Sequence, residues 1–308
     1  MAVLLACAGH AASAQPIDLS GGGPVEITSL GGFELREQEQ VVIASGDARA
    51  VRDNVTVLAD RLVAHYRKKP GGDGKPPAAP PPGGPQASTI GPDADTGGNE
   101  VYRLEAHGHV RIVTETDEAV GDDAIYDIDQ AVLLMTGKKL KLTTPQQVLT
   151  ARDTMEYWSQ LHMAVGRGNA VVVTSDARRL AGDVLVAYTA QDGAKPPTGP
   201  KPVPTKVAGK DPLTDSGKLK RIDAFGNVEV RTVTDIVRGD RGIYIPDTGI
   251  ARVVGHVRIT HGGSQVNGPA ADVNMKTGVA RINSQPGNRV QGLIVPNDAS
   301  GAAKPAPK

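Results

Sequence analysis

Leu104–Thr136 reads LEAHGHVRIVTETDEAVGDDAIYDIDQAVLLMT, and its first third sets the fold. Gly108 opens the run His109-Val110-Arg111-Ile112, in which polar and apolar residues alternate. A period of two with β-branched apolar residues means a strand with one apolar face. The same form, G-[HN]-V-x-[IV], recurs at Gly226-Asn227-Val228-Glu229-Val230 and Gly255-His256-Val257-Arg258-Ile259. Weaker copies begin at Gly168 (Asn169, Ala170, Val172) and Gly46 (Asp47, Ala48, Ala50), and at Gly137 the phase slips by one residue to Leu140 and Leu142. These glycines are spaced by 62, 29, 31, 58 and 29 residues. Each long interval is about two short ones and contains a Pro/Gly-rich segment, so the chain has a period of 29–31 residues.

About fourteen residues after each glycine comes a second element: Ala59-Asp60, Gly121-Asp122, Ala151-Arg152, Gly182-Asp183, Gly239-Asp240 and Gly268-Pro269. Five of these are followed by a tyrosine, at Tyr66, Tyr126, Tyr157, Tyr188 and Tyr244. Two or three short strands in such a unit leave no room for a sizeable helix. Thr154–Val165 is the best helical candidate, but it falls where the repeat requires strands. One unit cannot bury its apolar strip alone, so neighbours must stack. The expected fold is therefore all-β: an elongated antiparallel stack of units of about thirty residues, with two Pro/Gly-rich insertions. Its inner faces either meet as a dry core or stay apart as a trough. Their Val, Ile, Leu and Ala residues, almost without rings, allow both.

The rest of the sequence bounds the alternatives. With 308 residues, 34 Lys+Arg, 34 Asp+Glu and 3% aromatic residues, the chain has neither a basic excess nor a stacking platform for nucleic acid. Cys7 is the one cysteine, which excludes an internal disulfide and multi-cysteine zinc sites. Residues 1–14 read as an export signal ending in Ala12-Ser13-Ala14, which points to the periplasm; Leu4-Leu5-Ala6-Cys7 also admits a lipoprotein reading. A lead-in over 15–40 precedes the repeat domain, 41–296. That domain is interrupted by segments 70–99 (eight Pro, eight Gly) and 192–217 (six Pro, four Gly), both expected to be disordered loops, as is the tail 297–308. No apolar run reaches the roughly 18–20 residues a membrane-spanning helix needs.

Catalytic and metal readings are weak. Asp122, Asp123 and Asp240 could pair as glycosidase carboxylates, but an Asp recurs at equivalent points of several units, which marks a turn or strand-end role. His107-x-His109 and His256…His261 could ligate a metal. His109 and His256, however, share a slot with Asn169 and Asn227, which suits a turn position. Gly21-Gly22-Gly23 precedes no helix and fails as a phosphate loop. No enzyme, cofactor or metal is expected.

With these residues in hand, the chain resembles the OstA-like family of periplasmic lipopolysaccharide-transport proteins, which includes LptA and the periplasmic domains of LptC and LptD. The stretches Leu104–Thr136 and Ile222–Ile259 carry the resemblance best. It implies an open antiparallel β-jellyroll, the β-taco, that shelters the acyl chains of lipid A. It also implies LptC-like and LptD-like partners and head-to-tail self-association through edge strands. The in-phase residues Val110, Ile112, Leu140, Leu142, Val228, Val230, Val257 and Ile259 are the expected trough wall. Lys138, Lys139 and Lys141, or Lys218, Lys220 and Arg221, would meet lipid phosphates if they lay at its mouth. The other readings are an envelope scaffold or another OstA-like partner and, more remotely, a carbohydrate-active β-solenoid enzyme.

Overall fold

The computed structural model describes residues 25–52, 54–68, 88–90, 99–189, 219–283 and 290–295. The expected export signal, the tail and segment 192–217 lie outside these residues, as does 70–99 apart from Ser88–Ile90 and Asn99.

The described residues are almost entirely antiparallel β-strand. In chain order these are β1 (Val25–Thr28), β2 (Phe33–Arg36), β3 (Val41–Arg52), β4 (Val55–Lys68), β5 (Ser88–Ile90), β6 (Asn99–Val113), β7 (Glu118–Asp127), β8 (Val132–Thr136), β9 (Leu140–Thr143), β10 (Gln147–Ala151) and β11 (Thr154–Trp158). There follow β12 (Met163–Thr174), β13 (Arg179–Thr189), β14 (Leu219–Arg231), β15 (Asp235–Ile245), β16 (Ile250–His261), β17 (Ser264–Asn274), β18 (Ala280–Asn283) and β19 (Gln291–Leu293). The helical candidate Thr154–Val165 resolves into β11, a single 3-10 turn at Ser159–Leu161 and the start of β12, as the repeat required.

Contact density divides the chain into two units. One comprises residues 1–166 and 188–219, the other 167–187 and 220–308. In the first, β2 and β1 both pair with β3, then β3 with β4, β4 with β6, β6 with β7, and β7 with both β8 and β9. The sheet therefore begins inside the lead-in, at Val25. Part of the first insertion also joins it, since β5 pairs with β1. In the second unit β14, β15, β16 and β17 form a meander, and β18 and β19 both pair with β17.

The repeat glycines do not open short strands; they sit in the middle of long ones. At Gly46, Gly108, Gly226 and Gly255 the register jumps, between Ser45 and Ala48, His107 and Val110, Phe225 and Val228, and Val254 and Val257. Each jump is a β-bulge. Both bulge residues take left-handed backbone, with φ of 76° and 47° at Gly108-His109 and 79° and 45° at Gly255-His256. Glycine fits the first position because a Cβ on Gly255 would lie 2.3 Å from Asp240 Oδ2. The second position accepts Asp, Asn or His, the side-chain types enriched in that region, and it holds Asp47, His109, Asn169, Asn227 and His256.

The recurrent aspartates close these bulges from the preceding strand. Asp60 Oδ2 lies 2.8 Å from His109 Nδ1, Asp240 Oδ2 lies 2.7 Å from His256 Nδ1, and Asn227 Nδ2 donates to Asp183 Oδ2 at 2.9 Å. Asp60, Asp183 and Asp240 thus each clasp the bulge of the next repeat. Gly137 is no copy of the motif. Its φ is 148°, and its neighbour Lys138 donates a backbone N–H to Asp122 Oδ2 at 2.9 Å. The His/Asn slot follows from backbone conformation, which gives a test. His256→Asn should stay within about 0.5 kcal/mol of the parent in urea unfolding. His256→Val, which forces a β-branched side chain into left-handed backbone, should lose roughly 1–2 kcal/mol.

Candidate functional site

The first unit encloses an apolar cleft of about 650 Å³ of empty space, part of it open to solvent. Its walls come from β1 to β4 and β6 to β8, through residues such as Ile27, Phe33, Leu62, Leu104, Ile112, Tyr126 and Leu133. The sheet register explains why the space is there. Cross-strand rows place Leu62 beside Ala106, Ala106 beside Ala124, and Ala64 beside Leu104. Ala44, Ala50, Ala64, Ala106 and Ala124 all line the cleft. Close packing needs larger side chains at such positions; five alanines on the cross-strand rows of this sheet leave a gap instead.

Glu105 is the one carboxylate among the lining residues. It lies 2.9 Å from Arg103 Nε, 3.2 Å from His65 Nε2 and 3.1 Å from His107 Nε2, while His107 Nδ1 is 2.9 Å from Asp123. A carboxylate so surrounded is anchored to its own strand neighbours and adds little polarity to the cleft. Tyr126 is 2% exposed, so its ring forms part of the floor.

The eight expected wall residues fall on inner faces. In the first unit, Ile112 and Leu142 both pair with Ala119, and Val110 pairs with Gly121, against which Leu140 packs. These four residues therefore form one patch. In the second unit, Val230 pairs with Val237 and Val237 with Ile259, while Val228 pairs with Gly239 and Val257 with Gly268. Seven of the eight are buried and Leu142 is half-buried. Ile112 is the one that also lines this cleft; the other six buried residues are packed core. Burying such a side chain contributes about 1.5–3 kcal/mol to folding. Leu104, Ala106, Ala124 and Leu133, which line the cleft, lie before the glycine or after the Gly-Asp pair, outside the stretch that the G-[HN]-V-x-[IV] pattern covers. The sequence signal that would have found them is the run of alanines at in-phase positions.

The polar candidates are structural. Asp122 holds the turn before β9, Asp123 holds His107, and Asp240 closes a bulge. Hydrogen bonding to Asp60, and its charge, raise the pKa of His109 above the usual imidazole value. His261 Nδ1 lies 2.7 Å from Asp235. Among the described residues, no group of three or more His, Cys, Asp or Glu is arranged to hold a metal. Lys138, Lys139 and Lys141 are exposed around the start of β9, Lys220 is 3.7 Å from Asp247, and Arg221 is paired with Asp223; Lys218 lies outside the described residues. No helix among the described residues is long and apolar enough to cross a membrane.

No curated protein matches the chain. One matching solved structure is that of LptH, the LptA homologous periplasmic component of the conserved lipopolysaccharide transport device from Pseudomonas aeruginosa. It is 15% identical, with a TM-score of 0.35, and the match covers 49% of this chain and 95% of that one. A family profile described as LptA/(LptD N-terminal domain) LPS transport protein matches residues 26–161, the stretch that holds the cleft. Residues 26–161, somewhat under half of the chain, are thus similar to the LptA/(LptD N-terminal domain) family of LPS transport proteins.

Proposed function

We propose that the protein is a periplasmic carrier that binds lipopolysaccharide by sheltering acyl chain in the apolar cleft of its first unit, and that it joins partner proteins through edge strands to bridge the two membranes. The observation that carries the reading is the alanine-lined cleft itself. An acyl segment in water costs about 0.8 kcal/mol for each exposed CH₂. A cleft whose one carboxylate, Glu105, is already held by its strand neighbours removes that cost and offers little that would hold the lipid at one place. Movement through it then takes its direction from an energy source elsewhere. The reading includes LptC-like and LptD-like envelope proteins as partners and copies of this chain as neighbours. Strand addition is the means. β18 and β19 pair with β17, and Leu293, next to exposed Ile294, is 67% exposed.

The test is photo-crosslinking. A benzophenone amino acid at Leu104 should capture lipopolysaccharide, whereas one at exposed Lys139 should not. Ala106→Trp fills the cleft, and displacing two or three methylenes should weaken binding about thirtyfold at roughly 2 kcal/mol. Circular dichroism and thermal unfolding report that the variant stays folded. Absence of capture at Leu104 in the folded protein would favour an envelope scaffold and end the carrier reading.

A further inference from the structure

The outward face of the second unit is not an ordinary wet sheet surface. Such a face normally presents polar side chains at alternate positions. Here Phe225, Ile243, Ile245, Ile250 and Val254 point outward across β14, β15 and β16, each 36–42% exposed. Arginines are interleaved with them. Arg241 stands between Phe225 and Val254 in one cross-strand row, and Arg252 is paired with Ile243 in the next. Arg238 is directly opposite Arg258, and like charges in that position destabilise a sheet. Arg238 is held by Glu229, and Arg252 lies 3.8 Å from Asp272. Arg241 and Arg258 are exposed and have no acidic partner among the described residues. Residues 220–283 carry nine Lys+Arg against six Asp+Glu, in a chain whose total charge is zero.

We infer that this face docks on an anionic phospholipid bilayer surface. Aliphatic and phenyl groups among arginines suit the head-group layer: apolar ends enter the acyl boundary, and guanidiniums meet phosphates. Repulsion between Arg238 and Arg258 is relieved when phosphate lies between them. A second copy of the chain fits less well. Its acidic stretch, 100–130, has nine Asp+Glu against two Arg and would satisfy the arginines, but none of the exposed large apolar residues lies in that stretch to meet Phe225 and the isoleucines.

Vesicle flotation of the full chain tests the inference. Phosphatidylcholine vesicles containing a minority of phosphatidylglycerol should carry the protein, and pure phosphatidylcholine should not. Binding should fall as salt rises to about 0.5 M, where charges are screened within a few ångströms. Arg241→Glu with Arg258→Glu should weaken it at least about tenfold, since each basic residue near an anionic surface contributes roughly fivefold. Phe225→Ser with Ile243→Ser should weaken it as well. Lipopolysaccharide capture at Leu104 should be unchanged in both double variants, which separates this face from the carrier reading. Equal binding to both vesicle types, no binding to either, or binding indifferent to both double variants overturns the inference. So does a double variant that alters only the protein's self-association, which would make the face a contact between copies.

Discussion

Gly239→Val is expected to destabilise the second unit by about 2–4 kcal/mol, even though valine is the better strand former. Gly239 is paired with buried Val228 in β14. A Cβ built on it lies 2.5 Å from Val253 Cγ1, 3.0 Å from the carbonyl oxygen of Gly255 and 3.3 Å from that of Val254. Two of these neighbours are backbone at the β16 bulge, so the clash cannot be relieved by turning one side chain. Val253 is 0% exposed and has no space to move into. The corresponding residue of the first hairpin is Ala59, and on the next strand Ala106, two residues before Gly108, stands where Val253 precedes Gly255. Val253→Ala should therefore recover part of the loss. A double-mutant cycle in urea should give a coupling of about 1 kcal/mol or more, as for residues in contact. Additive effects would mean that Gly239 is required by the backbone and not by its neighbour.

The same geometry decides how much of this protein could be read from its sequence. The strands that carry G-[HN]-V-x-[IV] keep one phase across the bulge. Leu104, Ala106, Val110 and Ile112 face inward or line the cleft, all at even positions. Their alternation survives a naive reading, and the fold class and core residues followed from it. The Gly-Asp strands change phase. In β7, Ala119 and Gly121 are buried, and so are Ala124 and Tyr126, while Ile125 is only half-buried. Counting on by twos from Gly121 puts Ile125 inside and hides Ala124, a cleft residue. The aspartate that causes the shift looks like a catalytic or turn residue until its partner on the next strand is known. Two of these partners are far away in sequence: Asp60 meets His109 and Asp183 meets Asn227. The cleft was illegible for a further reason. It arises from missing volume on several strands at once, and no single strand signals what its neighbours lack.

Glu229→Gln should produce the second large effect, and its size should depend on pH. Glu229 faces outward on β14, yet its side chain is only 15% exposed. It lies 2.5 Å from Arg179 Nη1 and 3.2 Å from Arg231 Nη2, and it accepts from Arg238 at 3.0 and 2.9 Å. Burial alone would raise its pKa, but the hydrogen bond from Arg238 and the charges of Arg179, Arg238 and Arg231 outweigh that and hold it below the usual carboxylate value. A carboxylate whose pKa is lower when folded adds stability that is fully present above its unfolded value, about 4.3. That stability is lost as pH falls through the lower, folded value. At pH 7 the glutamine leaves three guanidiniums converging on a neutral amide, with Arg258 paired across from Arg238. Removing the carboxylate leaves the other charges uncompensated, but the guanidiniums are 33–54% exposed and partly screened by water, so a loss of roughly 1–2 kcal/mol is expected at neutral pH. Urea unfolding at pH 7, 5 and 3 should show the gap between parent and variant held from pH 7 to pH 5 and narrowing by pH 3, because protonated Glu229 does little that glutamine does not. A gap independent of pH would mean that Glu229 acts through packing and hydrogen-bond shape, and that the three arginines are neutralised by solvent instead.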